Sequence, residues 1–114
     1  MSPRGEARLW VAQRASAAVL AVCVIVHLVM IVYAMRGGLS GAEILGRTRG
    51  NLAWLAFYAA FVLAAAVHAP IGLRAILAEW LGWRGHGAIA LVHGIALLLA
   101  ALGLRAVWAV FGTL

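Results

Sequence analysis

Four histidines are the residues of this chain best suited to bind a metal or a cofactor. His27, His68 and His93 lie inside long apolar stretches, whereas His86 lies between two glycines. An ionisable side chain inside a bilayer-spanning helix is costly and therefore marks a candidate functional site. Histidine suits such a site because its neutral imidazole binds a metal without burying a charge. The competing explanation for each histidine is a hydrogen bond to a neighbouring helix.

The helix face around His68 consists mostly of small residues. At about 100° per residue, the positions within one turn's width of the histidine are Phe61, Ala64, Ala65, Gly72, Ala75 and Glu79. This face predicts room for a large flat group beside the imidazole. Arg74, Glu79 and Trp80 follow where the apolar segment ends, and they predict a membrane edge.

Composition places the chain in a membrane. Its 114 residues are 67% apolar and 11% charged, whereas soluble domains average about 45–50% apolar and 25% charged. All nine basic residues are arginines. They are scattered singly at segment ends, a pattern that argues against nucleic acid as a partner and indicates anchoring at a lipid interface. Cys23 has no second cysteine to pair with, so no intrachain disulfide or cysteine zinc site is expected.

Three apolar segments predict transmembrane helices at about residues 10–35, 52–79 and 88–110, because about twenty apolar residues span the hydrocarbon core. Glycine-rich segments separate these helices. Residues 42–51 are expected to form an exposed loop or a short surface helix. The predicted fold is an all-α membrane protein, a single domain of residues 1–114 with three transmembrane helices in an up-down-up bundle.

The arginines also predict the topology. The amino-terminal lead and the second loop hold Arg4, Arg8, Arg14, Arg74 and Arg84, and the first loop and the tail hold Arg36, Arg47, Arg49 and Arg105. Five arginines against four favour an amino terminus in the cytoplasm.

The first helix carries one polar stripe. Gln13, Ser16 and Cys23 lie within about 40° of His27 on a helical wheel. His27 follows Arg14 by about 20 Å of helix, and His68 precedes Arg74 by about 9 Å. If both arginines mark the same membrane face, the two histidines differ in depth by roughly 10 Å and are poor candidates to bind one iron together.

Two stretches resemble the membrane-anchor subunits of succinate dehydrogenase and fumarate reductase. His68, Gly72, Arg74 and Glu79 are similar to the second transmembrane helix of that family, where an acidic residue follows the histidine by eleven positions. The run 13–16, Gln-Arg-Ala-Ser, followed by His27, is similar to the first helix. The resemblance implies that His68 is an axial ligand of haem b, and that His27 binds haem as in the two-haem members.

The resemblance also implies a quinone substrate and partner proteins. A quinone pocket is expected near Trp10, Arg14, Ser16, Glu79 and Trp80, and Arg14 and Arg74 are expected near haem propionates or a quinone carbonyl. The implied partners are a flavoprotein subunit, an iron–sulfur subunit, and a second anchor chain or another copy of this one. The implied location is the bacterial inner membrane.

Two ligation schemes remain open at this point. His93 lies six residues after Gly87 and is expected near the depth of His68, so the two could bind one haem within this chain. Alternatively, His27 and His68 each supply half the ligation of two stacked haems, and a partner chain supplies the rest. We favour the second scheme, with one or two haems shared with a partner chain.

The chain holds no flavin-binding glycine fingerprint and no cysteine set for an iron–sulfur cluster. By itself it is therefore expected to be non-catalytic, and to act as an electron-transfer subunit of a larger enzyme. Two other functions stay open: a haem-free membrane scaffold, and a cytochrome b module of a different dehydrogenase.

Overall fold

The computed structural model describes residues 2–38 and 40–112. Within them the chain folds into four helices, α1 (Pro3–Gly37), α2 (Gly41–Thr48), α3 (Leu52–Leu81) and α4 (His86–Phe111). Three of these, α1, α3 and α4, are long and apolar enough to cross a membrane. The predicted fold class, an all-α membrane protein, is confirmed, and the predicted surface segment contains the short helix α2.

Helix α1 begins at Pro3 rather than near residue 10. The hydroxyl of Ser2 accepts a hydrogen bond from the Gly5 N–H at 3.1 Å, and Pro3 occupies the first turn, where its missing N–H costs nothing. Glu6 adds a negative charge to the positive end of the helix. At 35 residues α1 is about 52 Å long, so it extends well beyond a hydrocarbon core of about 30 Å.

Helix α3 lies between α1 and α4, since it forms the two extensive helix–helix contacts. Against α4 it approaches closely at Gly103, where an added Cβ would lie 2.6 Å from Cγ1 of Val62. Near the other end of this contact, Leu77 of α3 packs with Ala88 and Val92 of α4 in a small buried cluster. Small residues at the crossing points bring the two backbones together.

Helix α1 turns its predicted polar stripe toward α3. Its buried residues are Ser16, Cys23 and Ala34. These positions, together with His27, recur at about 3.5 residues per turn, which is the spacing of left-handed helix pairs. The stripe is thus the packing face of α1.

The last residue of α2 and the segment after it close the end of the bundle where α4 ends. Thr48 Oγ1 donates a hydrogen bond to the Val110 carbonyl at 2.7 Å, and Arg49 Nε donates to the Gly112 carbonyl at 3.0 Å. The Gly50 N–H donates to the Phe111 carbonyl at 3.0 Å. Three carbonyls at the end of α4, which have no partner within the helix, are satisfied in this way.

The surface of the bundle is apolar. Among the described residues no large side chain is fully buried, and long apolar residues face outward on every spanning helix. Such a surface is covered by lipid or by other transmembrane helices. The chain is a multi-pass membrane protein.

Candidate functional site

His68 of α3 contacts α1 at two oxygen atoms. Its Nδ1 lies 3.3 Å from the carbonyl oxygen of Gln13 and 3.4 Å from Oγ of Ser16. The Ser16 hydroxyl in turn donates to the same Gln13 carbonyl at 3.0 Å. Ser16 is buried, whereas His68 and Gln13 are half-buried. The three groups form a polar contact within an otherwise apolar helix pair.

The Gln13 contact fixes which imidazole nitrogen carries the proton. A carbonyl oxygen only accepts hydrogen bonds, so the contact forms when Nδ1 of His68 bears the hydrogen. Nε2 then keeps its lone pair. It makes no hydrogen bond with the described residues and is not among their buried unpaired atoms, so it is not fully buried.

The small-residue face around His68 does not leave the room predicted for it. Ala64 is buried, and a Cβ added at Gly72 would lie 3.8 Å from Nε2 of Gln13. Helix α1 therefore occupies the part of the face that Ala64, His68 and Gly72 share. The small side chains allow the two helices to approach closely, so a large ligand of His68 does not fit between α1 and α3.

His27 of α1 lies among aromatic side chains of α3. Its ring is edge-on to Tyr58, with centroids 6.0 Å apart, and to Phe61, at 5.6 Å. Its Nδ1 is buried and has no hydrogen-bond partner among the described residues. His27 also lines a cavity of about 160 Å³ whose other walls are Met30, Ile31, Ala34, Ile44, Arg47, Thr48, Trp54 and Tyr58.

The two histidines lie at different depths. His27 follows Ser16 by eleven residues of α1, or about 16 Å, and Ser16 contacts His68. This separation is larger than the roughly 10 Å expected from the arginines, and it prevents the pair from binding one iron.

The other histidines lie on the surface. His93 is exposed on α4, and His86 is the exposed first residue of that helix. Among the hydrogen bonds of residues 2–38 and 40–112, none joins His93 to His68, whose Nδ1 lies against α1. Whether either binds a metal stays a prediction.

The residues predicted near a quinone lie at one end of the bundle. Because Gln13 is next to Gly72 and Ser16 is next to His68, the start of α1 and the end of α3 are at the same level. The Arg14 guanidinium lies 4.9 Å from the ring centre of Trp10, a cation–π contact. This pair of residues is exposed.

The remaining members of that set do not converge on Arg14. Glu79 and Trp80 are exposed near the end of α3, and Trp80 is 80% exposed. Arg74 lines a separate cavity with Trp83 and Arg84, between the end of α3 and the start of α4. Ser16 is buried at His68 rather than open at the surface.

Comparison with known proteins identifies the family. Residues 1–105 match the sequence model of the succinate dehydrogenase/fumarate reductase transmembrane subunit. The chain belongs to this family. No curated protein and no solved structure matches it significantly. Family membership makes the chain a membrane anchor that associates with the catalytic subunits of such a complex.

The resemblance predicts haem ligation by His68 and His27, and the surroundings of Nδ1 differ between these two imidazoles. At His68 the Nδ1 proton has an acceptor and Nε2 is open, as in most metal-binding histidines. At His27 a proton on Nδ1 would be buried without an acceptor, which costs about 1–3 kcal/mol. The donor set therefore fits haem better at His68 than at His27.

An aromatic cluster on α3 lies around His27, and it was not predicted from the sequence. Trp54 stacks on Tyr58 with centroids 5.6 Å apart, and Phe57 contacts both Tyr58 and Phe61. The signal was present, because these four residues recur at helical spacing on adjoining faces of one segment. Arg47 lies 5.4 Å from the ring centre of Tyr33 and lines the same cavity as His27. No pattern in the sequence predicted this position for Arg47.

Proposed function

We propose that the chain is a haem b-binding anchor subunit of a succinate:quinone or quinol:fumarate oxidoreductase. In this role it docks a flavoprotein subunit and an iron–sulfur subunit, and helps to pass electrons to or from quinone in the bacterial cytoplasmic membrane. The observation that carries the proposal is the His68 imidazole, whose Nδ1 faces the Gln13 carbonyl while Nε2 remains open.

His68 Nε2 is the proposed axial ligand. When bound, haem b takes up and releases single electrons. The second ligand of this haem is assigned to a partner anchor chain or a second copy, because His27 lies about 16 Å away in depth. His93 of α4 is the alternative within this chain. His27 is the candidate ligand of a second haem, nearer the opposite end of the bundle.

The quinone site is proposed at the surface around Trp10 and Arg14. The guanidinium is positioned to donate hydrogen bonds to a quinone carbonyl, and a charged donor makes stronger bonds than a neutral one. The exposed indole of Trp10 offers an aromatic plane beside it. Glu79 is exposed at the same end and can deliver protons that quinone reduction consumes. Arg74 is the candidate partner of a haem propionate.

The amino terminus and the α3–α4 turn form the proposed cytoplasmic face. This end carries Arg4, Arg8, Arg14, Arg74 and Arg84, in agreement with the excess of arginine on the cytoplasmic side of membrane proteins. The catalytic subunits would dock here, so that electrons enter the membrane close to Trp10 and Arg14.

A reduced-minus-oxidised absorbance spectrum of the purified complex tests the proposal. The wild type is expected to show b-type bands. His68→Ala is expected to lose the bands of the haem that His68 binds, which are all of them in a one-haem complex and part of them in a two-haem complex, while the flavoprotein and iron–sulfur subunits still co-purify. His86→Ala is the matched control, since it removes an exposed imidazole at the start of α4. Absence of b-type bands from the wild type, or bands of unchanged intensity in His68→Ala, would refute the assignment.

A further inference from the structure

The hydrogen bonds around His68 assign a role to Ser16. We infer that the Gln13 carbonyl and the Ser16 hydroxyl together hold His68 in the tautomer with the proton on Nδ1, so that Nε2 is presented as a ligand. Ser16 is thus a positioning residue for an axial ligand rather than a quinone contact. This inference rests on the proposed haem-binding function.

The directions of the hydrogen bonds support this role. The Ser16 hydroxyl donates its one hydrogen to the Gln13 carbonyl at 3.0 Å. Its oxygen therefore has only lone pairs to offer to Nδ1 of His68, at 3.4 Å. The Gln13 carbonyl, at 3.3 Å, is also an acceptor. Both oxygens favour the same tautomer, and neither can stabilise an unprotonated Nδ1 in this arrangement.

Burial strengthens the contact. Ser16 is 7% exposed and is the buried hydroxyl of α1. Loss of an acceptor here is not compensated by water, because the surroundings are the packed faces of α1 and α3. Among the buried residues of α1, the next along the helix is Cys23, which lies seven residues, or about 10 Å, further from the contact with His68. Cys23 therefore provides a control for packing alone.

The expected consequence of losing the Ser16 hydroxyl is a change in the midpoint potential of the haem iron. An acceptor on Nδ1–H makes the imidazole a stronger electron donor through Nε2, which favours the ferric over the ferrous iron. Ser16→Ala removes one of two acceptors and leaves the backbone carbonyl in place. Partners of this kind change metal binding about 10–100-fold. A tenfold change in the ferric-to-ferrous preference raises the one-electron midpoint potential by about 59 mV.

The first experiment is a redox titration of the haem in the purified complex. Ser16→Ala is expected to keep the haem and to have a midpoint potential higher by about 59 mV, the tenfold change above. Ser16→Thr retains a hydroxyl and should remain near the wild-type potential, as should Cys23→Ala. An unchanged potential in Ser16→Ala, or an equal shift in Cys23→Ala, would overturn the inference.

The second experiment does not depend on haem or on how a Ser16 variant folds. In the wild-type full-length chain without haem, labelled with ¹⁵N-histidine in detergent, the His68 signals are assigned as those that vanish in His68→Ala. We expect the proton on Nδ1; a proton on Nε2 would overturn the inference. A failure of the proposed function appears differently, as an absence of b-type bands from the wild type or as bands of unchanged intensity in His68→Ala.

Discussion

Replacing Gly103 by alanine is expected to force α3 and α4 apart at their closest approach. A Cβ at this position would lie 2.6 Å from Cγ1, 2.9 Å from Cγ2 and 3.3 Å from Cβ of Val62. Rotation of the valine cannot relieve the overlap, because both of its methyl groups are too close and its χ1 angle is restricted. The helices must therefore move.

The size of the effect follows from these distances. Carbon atoms pack at about 3.5–4.0 Å, so the contact at 2.6 Å requires a separation of about 1 Å more. Overpacking of this kind costs about 1–3 kcal/mol. Alanine also gains about 1 kcal/mol of helix propensity over glycine. Gly94→Ala measures that second contribution alone, since nothing lies within 4 Å of a Cβ at Gly94.

Thermal unfolding of the detergent-solubilised protein measures both variants. Gly103→Ala should be less stable than Gly94→Ala by about 1–3 kcal/mol. Val62→Ala combined with Gly103→Ala should recover much of that loss, because it removes both methyl groups that the new Cβ meets. Equal stability of the two alanine variants, or no recovery in the double variant, would show that the helices do not approach closely at this point.

Three further changes test the ends of the bundle and the proposed quinone surface. Thr48→Val should lower the unfolding free energy by about 1 kcal/mol, because the Val110 carbonyl loses its donor. Thr48→Ser keeps the hydroxyl and should be near wild type. Equal melting temperatures of Thr48→Val and the wild type would show that this hydrogen bond does not stabilise the bundle. Asn51→Ala should cost about 1 kcal/mol in the same assay, because the side chain caps two N–H groups of α3, and Asn51→Asp should retain the cap. Arg14→Leu should lower succinate-dependent quinone reduction by about tenfold or more with haem retained, while Arg4→Leu should not; equal rates would remove Arg14 from the site.

Much of the helical architecture could be predicted from local patterns. The wheel placed Gln13, Ser16 and Cys23 on the face of His27, and this stripe is the face that packs on α3. Periodicity finds such a face because it depends only on residues one or two turns apart. The early start of α1 could also have been found, since Ser2 and Pro3 form a recognised helix-start signal.

Contacts between distant parts of the chain could not be predicted in this way. Ser16 and His68 are 52 residues apart, and Thr48 and Val110 are 62 apart. A helical wheel gives the faces of each helix but not which faces meet, nor their relative height. This is why the small residues beside His68 were interpreted as space for a ligand, whereas Gly72 in fact accommodates the side chain of Gln13.

The arrangement of the helices explains why the proposed haem needs a second chain. Because α3 lies between α1 and α4, each interface is a single pair of helices, and no large side chain of the described residues is fully enclosed. A haem is much larger than any of those side chains, so a bundle that fully encloses none of them does not enclose a haem. The polar contact with Ser16 holds Nδ1 of His68 against α1, and Nε2 is not fully buried. An anchor helix from a partner, placed beside His68, would both cover the apolar surface and supply the missing ligand.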